Sequence, residues 1–212
     1  MFLPPLVSGD GDTSYYGGGV LGRWELTTGS LSGLYFDASA RLGRAEADFK
    51  TNDIQYNGWR ANFDASSLYY GLHGGLGYIW NCADKASLDF SAKLLWTHQE
   101  GDSVTVRSDL LRIKDSDSLR TRLGGRFSYI GNEHIAPYAG AYWEHEFDGK
   151  QSSSVNGVDI TPPSLKGDTA MGELGLTLKP SQTLPLSFDI GVQGYTGKRE
   201  GVTGSLQIRL EF

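Results

Sequence analysis

The amino-acid sequence predicts an all-β protein whose strands form an antiparallel, up-and-down transmembrane β-barrel. Three observations predict this fold class: side-chain polarity alternates with a period of two, short and long connections alternate along the chain, and tryptophans concentrate near strand ends. Residues 202–212 alternate without interruption, with apolar residues and Gly204 on one face and polar residues on the other. The pattern defines nine predicted strands: 14–26, 32–47, 67–80, 86–97, 119–130, 135–147, 169–179, 184–195 and 202–212.

The predicted connections alternate in length, which indicates a sheet with two different ends. Alternate connections of an up-and-down sheet lie at the same end, and outer-membrane barrels have short turns at one end and long loops at the other. The short connections are 27–31, 81–85, 131–134 and 180–183, and the final connection, 196–201, is also short. The long connections are 48–66, 98–118 and 148–168. We expect one barrel domain over residues 13–212, preceded by a loop remnant or start over residues 1–12.

Four tryptophans lie on the apolar face near the ends of predicted strands. Trp24 and Trp80 lie at the short-turn end, and Trp96 and Trp143 at the long-loop end. Outer-membrane barrels carry girdles of aromatic residues at both membrane interfaces. Large aromatic residues also fill the cores of soluble sheets, but core residues have no reason to prefer strand ends. We therefore expect two aromatic girdles in contact with outer-membrane lipid.

The polar face of the predicted strands carries charges of both signs. Seven positive and eight negative side chains nearly cancel. A barrel lumen tolerates such groups because water and oppositely charged partners satisfy them. The lumen charges that we predict are Arg120, Arg122, Arg126, Glu144, Glu173, Asp189 and Arg209.

The composition excludes several other classes of protein. The net charge of −6 disfavours nucleic-acid binding, which needs clustered Lys and Arg to neutralise phosphates. A single cysteine, Cys82, excludes a disulfide framework and Cys-rich zinc sites. The four histidines lack metal-ligand spacing, and we expect neither a metal site nor a cofactor. The sequence shows no apolar helical span and no convincing signal peptide.

Residues 137–147, 191–195 and 201–212 resemble the translocator (β-domain) of autotransporters, the type V secretion family. Residues 71–75 and 123–126 are similar to earlier strands of the same family. The resemblance covers roughly residues 13–212 and depends on the order and spacing of these motifs. It implies a location in the outer membrane of a Gram-negative bacterium and a role in exporting and anchoring an N-terminal passenger.

The resemblance also implies an assembly signal and a missing N-terminal part. In this family the barrel-assembly machinery reads a terminal aromatic residue, a role that falls on Phe212, with Leu210, Ile208 and Leu206 behind it. A simpler interpretation is that Phe212 is a lipid-facing residue at the end of the last strand. Phe212 can be both an assembly signal and a lipid-facing residue. The family's barrel has twelve strands and a linker helix to the passenger, so nine strands imply a truncated translocator without that helix and passenger. The odd strand number agrees, since bacterial barrels have even numbers.

Three alternatives remain at this point: an outer-membrane barrel enzyme of protease or phospholipase type, a porin-like barrel, and a soluble lipid-binding β-barrel. His98, Glu100 and Asp102 form the only local cluster that favours an enzyme, and a solvated rim also explains it. Some autotransporters cleave their passenger with lumenal carboxylates near the helix. Without the helix, no carboxylate of this chain can be assigned that role. We expect a transport scaffold with no enzymatic activity.

Overall fold

The computed structural model describes residues 10–56, 59–106, 109–132, 134–160, 164–180 and 186–210. These ranges contain thirteen β-strands. None of the described residues belongs to a helix that could serve as a membrane span. The strands are β1 (Asp10–Glu25), β2 (Leu34–Tyr56), β3 (Trp59–Ala83), β4 (Ala86–Gln99), β5 (Asp102–Val106), β6 (Asp109–Ile113), β7 (Ser116–Tyr129), β8 (Ile135–Glu146), β9 (Ser153–Val155), β10 (Val158–Ile160), β11 (Gly167–Leu178), β12 (Leu186–Gly197) and β13 (Gly201–Leu210).

Nine of the strands form one antiparallel sheet in the order β1-β2-β3-β4-β7-β8-β11-β12-β13. The sheet curls into a half-barrel, and the predicted all-β, up-and-down fold is confirmed. Its edges are β1 and β13, the first and ninth strands. Because each strand runs opposite to its neighbour, these two edges run in the same direction.

The long connections differ from the prediction. β2 and β3 continue as a paired hairpin to Tyr56 and Trp59, so most of residues 48–66 is strand and not loop. β5, β6, β9 and β10 lie in the other two long connections and form a second sheet of order β10-β9-β6-β5. These strands have only three to five residues each, too few for a period-two pattern to identify them, and backbone pairing satisfies their N–H and C=O groups.

The two chain ends are described only in part. The predicted loop remnant over residues 1–12 falls mainly on residues 1–9, which lie outside the described residues, and β1 begins at Asp10. The predicted last strand corresponds to β13 as far as Leu210. Phe212 lies outside the described residues.

The two faces of the nine-stranded sheet have opposite character. The inward, concave face carries charged side chains and tyrosines, and the outward face carries aliphatic side chains and tryptophans. Outward residues stay exposed along the strands, as Val20 at 74% and Leu174 at 67% illustrate. Among the described residues the buried hydrophobic side chains are Tyr35, Tyr138 and Met171, all on the inward face. The sheet therefore has almost no hydrophobic core of its own.

Tyr35 of β2 joins four consecutive strands on the inward face. Its ring covers Gly77 of β3, where a Cβ atom would overlap the ring. Its hydroxyl donates a 2.7 Å hydrogen bond to Oδ1 of Asp89 on β4. The guanidinium of Arg23 on β1 lies 3.5 Å from the ring centroid, a cation–π contact.

Tyr138 of β8 repeats this arrangement further along the sheet. Its ring covers Gly175 of β11, and its hydroxyl donates a 2.8 Å hydrogen bond to Asp189 of β12. The guanidinium of Arg126 on β7 lies 4.2 Å from the ring centroid. Glycine is required at both covered positions because any side chain would lift the ring off the neighbouring strand.

We predict that Gly77→Val destabilises the folded protein by about 1–3 kcal/mol, because the new side chain displaces the Tyr35 ring. Urea unfolding in lipid vesicles, followed by tryptophan fluorescence, measures the change. Gly74→Val on the same strand is the matched control, since a Cβ there meets no atom within 4 Å. Equal losses of stability in the two variants would contradict the packing role of Gly77.

Candidate functional site

Glu144 of β8 is the centre of a four-charge cluster on the inward face. Arg122 lies opposite Glu144 in the β7–β8 register and donates two hydrogen bonds, of 2.8 and 3.1 Å, to its Oε2 atom. Nη2 of Arg199 lies 2.6 Å from Oε1, and Nη1 of Arg120 lies 3.6 Å from the same oxygen. The Glu144 side chain is 2% exposed. Three guanidinium groups thus compensate one buried carboxylate.

Arg199 ties the last connection of the sheet to β8. It lies between β12 and β13, and its side chain also packs on Tyr195 at 5.0 Å from the ring centroid. Burial lowers the pKa of the Arg199 guanidinium, and the carboxylate of Glu144 opposes this change. Arginine remains charged at neutral pH because its ordinary pKa is so high. The contact therefore holds the β12–β13 hairpin against the sheet electrostatically.

Arg126 of β7 reaches across β8 to Glu173 of β11. The two residues lie in one cross-strand row with Gly140 between them. Two hydrogen bonds, of 2.6 and 3.1 Å, join the guanidinium to the carboxylate. Tyr142 and Gln193 donate to the same carboxylate at 2.7 and 3.1 Å. A Cβ at position 140 would strike the Glu173 side chain, so this ion pair needs the glycine.

The remaining predicted lumen charges also lie on the inward face. Asp189 accepts hydrogen bonds from Tyr138 at 2.8 Å and Thr177 at 2.9 Å. Arg209 of β13 lines a cavity of about 550 Å³ that extends across the sheet to Arg23 of β1. The cations of the cavity outnumber its carboxylates by five to three: Arg23, Lys93, Arg122, Arg126 and Arg209 against Asp37, Asp89 and Glu173.

Asp37, Ser39 and His73 form an inward cluster that the sequence analysis did not identify. Ser39 lies opposite His73 in the β2–β3 register, and Asp37 is two residues before Ser39 on the same face. Asp37 also pairs with Lys93 of β4 at 3.4 Å, across Gly75. Only the strand register could have revealed this cluster, because 34 residues separate Ser39 from His73.

The predicted cluster of His98, Glu100 and Asp102 does not assemble. His98 Nδ1 lies 3.0 Å from Asp117 of β7, and its ring stacks on outward-facing Tyr70 at 5.0 Å. Asp102 instead accepts a hydrogen bond from the backbone N–H of Ser66. His98 and Asp102 belong to different strands, because β4 ends at Gln99 and β5 begins at Asp102. In the described part of the chain, no three His, Cys, Asp or Glu side chains form a group that could hold a metal ion.

Trp24, Trp80, Trp96 and Trp143 lie on the outward face, as do alternate residues of β13. Trp24 stacks on Phe36 at 6.1 Å and is 65% exposed. Trp80 and Trp143 are also exposed, and Trp96 is half-buried against Tyr70. On β13 the exposed outward side chains are Leu206, Ile208 and Leu210.

A curled, up-and-down antiparallel sheet that is charged inside and apolar outside defines the class of transmembrane β-barrels. The sequence matches the autotransporter β-domain family over residues 6–191. No curated protein matches the chain. Solved structures similar to it include two autotransporter domains. The transport unit of the autotransporter AIDA-I from Escherichia coli is 17% identical, with a TM-score of 0.67 over 97% of this chain and 68% of that one. The β domain of the Bordetella autotransporter BrkA is 15% identical, with a TM-score of 0.57 over 100% of this chain and 78% of that one.

The chain therefore belongs to the autotransporter β-domain family. It is an outer-membrane translocator of the type V secretion route in Gram-negative bacteria, and the family implies a passenger domain as its partner. The inward-facing charged surface is accordingly the candidate functional site.

We predict that Glu144→Ala lowers the free energy of unfolding by roughly 3–5 kcal/mol, because it leaves three guanidinium groups around an empty position. Asp159→Ala is the control: the Lys114–Asp159 pair lies in the exposed second sheet, with side chains 47% and 75% exposed, and its loss costs less than about 1 kcal/mol. Denaturant unfolding of both variants in the same vesicles provides the comparison. A Glu144→Ala midpoint as high as that of Asp159→Ala would contradict the cluster's structural role.

Proposed function

We propose that the passenger crosses the outer membrane along the inward face of this sheet. The observation that carries the proposal is the pairing of the inward charges with one another, as in the clusters around Glu144 and Glu173. A polar surface suits an extended polypeptide, whose backbone N–H and C=O groups need polar surroundings. Because the charges around Glu144 and Glu173 already have partners, a moving chain is not held there by strong unpaired charges.

We further propose that the outward face contacts outer-membrane lipid and that Trp24, Trp80, Trp96 and Trp143 form two interfacial girdles. Supporting this, the outward side chains are apolar and exposed over the length of the strands. Indole rings prefer the headgroup level of a membrane because one edge can donate a hydrogen bond while the ring body is apolar.

Transport along this face requires no catalytic group. The cluster of His98, Glu100 and Asp102, which favoured a protease or phospholipase, does not assemble: His98 pairs with Asp117 instead. The ion pairs of the inward face and the family together favour the translocator over a porin-like barrel. The soluble lipid-binding alternative would need its apolar face inside, whereas the apolar residues lie on the convex side.

We expect a photo-crosslinking residue at inward Gln207 to react with a passenger arrested during export. The same residue at outward Trp80 should react with lipid and not with the passenger. Both variants are expressed in the full passenger-bearing protein, and heat-modifiable migration on gels verifies that each barrel is folded. Passenger adducts at both positions, or at Trp80 alone, would overturn the proposed path.

We also propose that the barrel-assembly machinery recognises the C-terminal strand through Phe212, together with Leu210, Ile208 and Leu206. The support is the sequence pattern and the family, since Phe212 itself lies outside the described residues. Phe212→Ala should lower the amount of folded barrel in the outer membrane several-fold. Thr203→Ala, an inward change on the same strand, should leave that amount unchanged. Pulse-chase fractionation measures both, and normal insertion of the Phe212→Ala variant would refute the assignment.

A further inference from the structure

The outward surface of β1, β2 and β3 carries an apolar groove of about 720 Å³ towards the long-loop end. Ala40 of β2 forms its floor, because Ala40 lies between the longer side chains of Val20 on β1 and Leu72 on β3 in one cross-strand row. On the β4 side the groove is bounded by the rings of Tyr70 and Trp96, whose centroids lie 6.1 Å apart. The groove is therefore open to the surroundings of the outward face and has a rigid aromatic side.

The charged side chains beyond the groove follow a definite order along β2. Arg44 comes first, exposed on the outward face, and its cross-strand neighbours are the uncharged Tyr16 and Leu68. Glu46 lies one row further out, about 7 Å along the strand, and accepts a 3.2 Å hydrogen bond from the Tyr16 hydroxyl. Asp48 follows in the next row. Moving away from the groove, the surface thus presents one cation and then carboxylates.

The neighbouring strand β4 does not change this order. His98 lies opposite Tyr70, in the row next to Ala40, and its Nδ1 atom is already 3.0 Å from Asp117. Glu100 donates its backbone N–H to Leu68, which places it two strands from Arg44, about 9–10 Å away. Arg44 is therefore the side chain next to the groove that offers positive charge, and the carboxylates lie beyond it or beside it.

The same order of groups occurs in a lipid with a phosphoethanolamine headgroup: acyl chain, then phosphate, then a primary ammonium. The guanidinium of Arg44 can donate charge-assisted hydrogen bonds to the phosphate, and the ammonium can donate to the carboxylate of Glu46. A headgroup with negative charge alone would fit less well, because the carboxylates of Glu46 and Asp48 would repel it.

We propose that this surface binds a phosphoethanolamine lipid of the surrounding bilayer, with an acyl chain over Ala40, the phosphate at Arg44 and the ammonium at Glu46. The hydrogen bond from Tyr16 holds the Glu46 carboxylate next to the row of Arg44. Trp96, at the edge of the groove, belongs to the proposed girdle of the long-loop end, where headgroups begin. The inference rests on the proposed contact of the outward face with lipid.

Quenching of Trp96 by lipids with brominated chains tests the site in the full chain, folded into phosphatidylcholine vesicles. Brominated phosphatidylethanolamine should quench Trp96 about threefold more strongly than brominated phosphatidylcholine, whose methylated ammonium cannot donate to Glu46. Brominated phosphatidylglycerol, which is anionic, should quench no better than phosphatidylcholine. Stronger quenching by phosphatidylglycerol than by phosphatidylethanolamine would overturn the proposal. In this reporter the other four tryptophans are replaced by Phe: Trp24, Trp59, Trp80 and Trp143.

A second reporter separates failure of the site from failure of the proposed lipid contact. It keeps Trp143 as its single tryptophan, on the outward face of β8 and away from the groove, and all three lipids should quench it equally. If no lipid quenches either tryptophan of a barrel that shows heat-modifiable migration, the proposed lipid contact fails. If the lipids quench both tryptophans but phosphatidylethanolamine has no advantage at Trp96, the site alone fails.

Substitutions in the Trp96 reporter assign the three parts of the site. Arg44→Gln, Glu46→Gln and Ala40→Leu should each abolish the advantage of phosphatidylethanolamine, because they remove the phosphate donor, the ammonium acceptor and the space for the chain. Two matched controls should retain it: Arg112→Gln, an exposed arginine of the second sheet, and Ala170→Leu, an exposed outward alanine of β11. An advantage that survives both Arg44→Gln and Glu46→Gln in a folded barrel would refute the assignment.

Discussion

Several inward side chains of this sheet pair with a residue on the strand after next, across a glycine of the strand between them. Asp37 reaches Lys93 across Gly75, and Arg126 reaches Glu173 across Gly140. Tyr35 reaches Asp89 across the strand that carries Gly77. Burying a charge without a partner is too costly for a sheet that has almost no hydrophobic core. The curvature of the sheet and its glycines therefore depend on one another. The glycines leave room for the paired side chains, and the pairs join strands that are not adjacent, which favours a curved sheet.

The topology limits how the barrel can close. β1 and β13 run in the same direction, so pairing them directly would create a parallel contact in an otherwise antiparallel wall. A second copy in the same membrane orientation meets the same difficulty, because its β1 is parallel to β13 of the first. An all-antiparallel barrel thus needs an odd number of further strands between these edges. β1 and β13 are exposed on both faces, consistent with edges that lack neighbours in the described structure.

The sequence was sufficient for the parts of the fold that alternate in polarity and insufficient for the parts that depend on register. Alternation identified the nine strands because each has one apolar and one polar face, and β13 is the clearest example. It failed for residues 48–66, which were predicted as a loop, whereas backbone pairing continues the β2–β3 hairpin to Tyr56 and Trp59. Likewise, Arg122 and Glu144 were assigned to the polar face, but their partnership is a property of the β7–β8 register. Ser39 and His73 were not connected at all for the same reason.

Stability and transport place opposite demands on the inward face, and pairing within the wall reconciles them. The wall must be polar, since a passing polypeptide carries its own backbone donors and acceptors. If its charges were unpaired, however, they would bind the passenger's charged side chains and retain them. Glu144, at 2% exposure among three arginines, shows how the wall withholds charge from the lumen while keeping a polar surface. In the described part of the sheet the apolar residues face outward, and the proposed contact with lipid would take the place of a hydrophobic core.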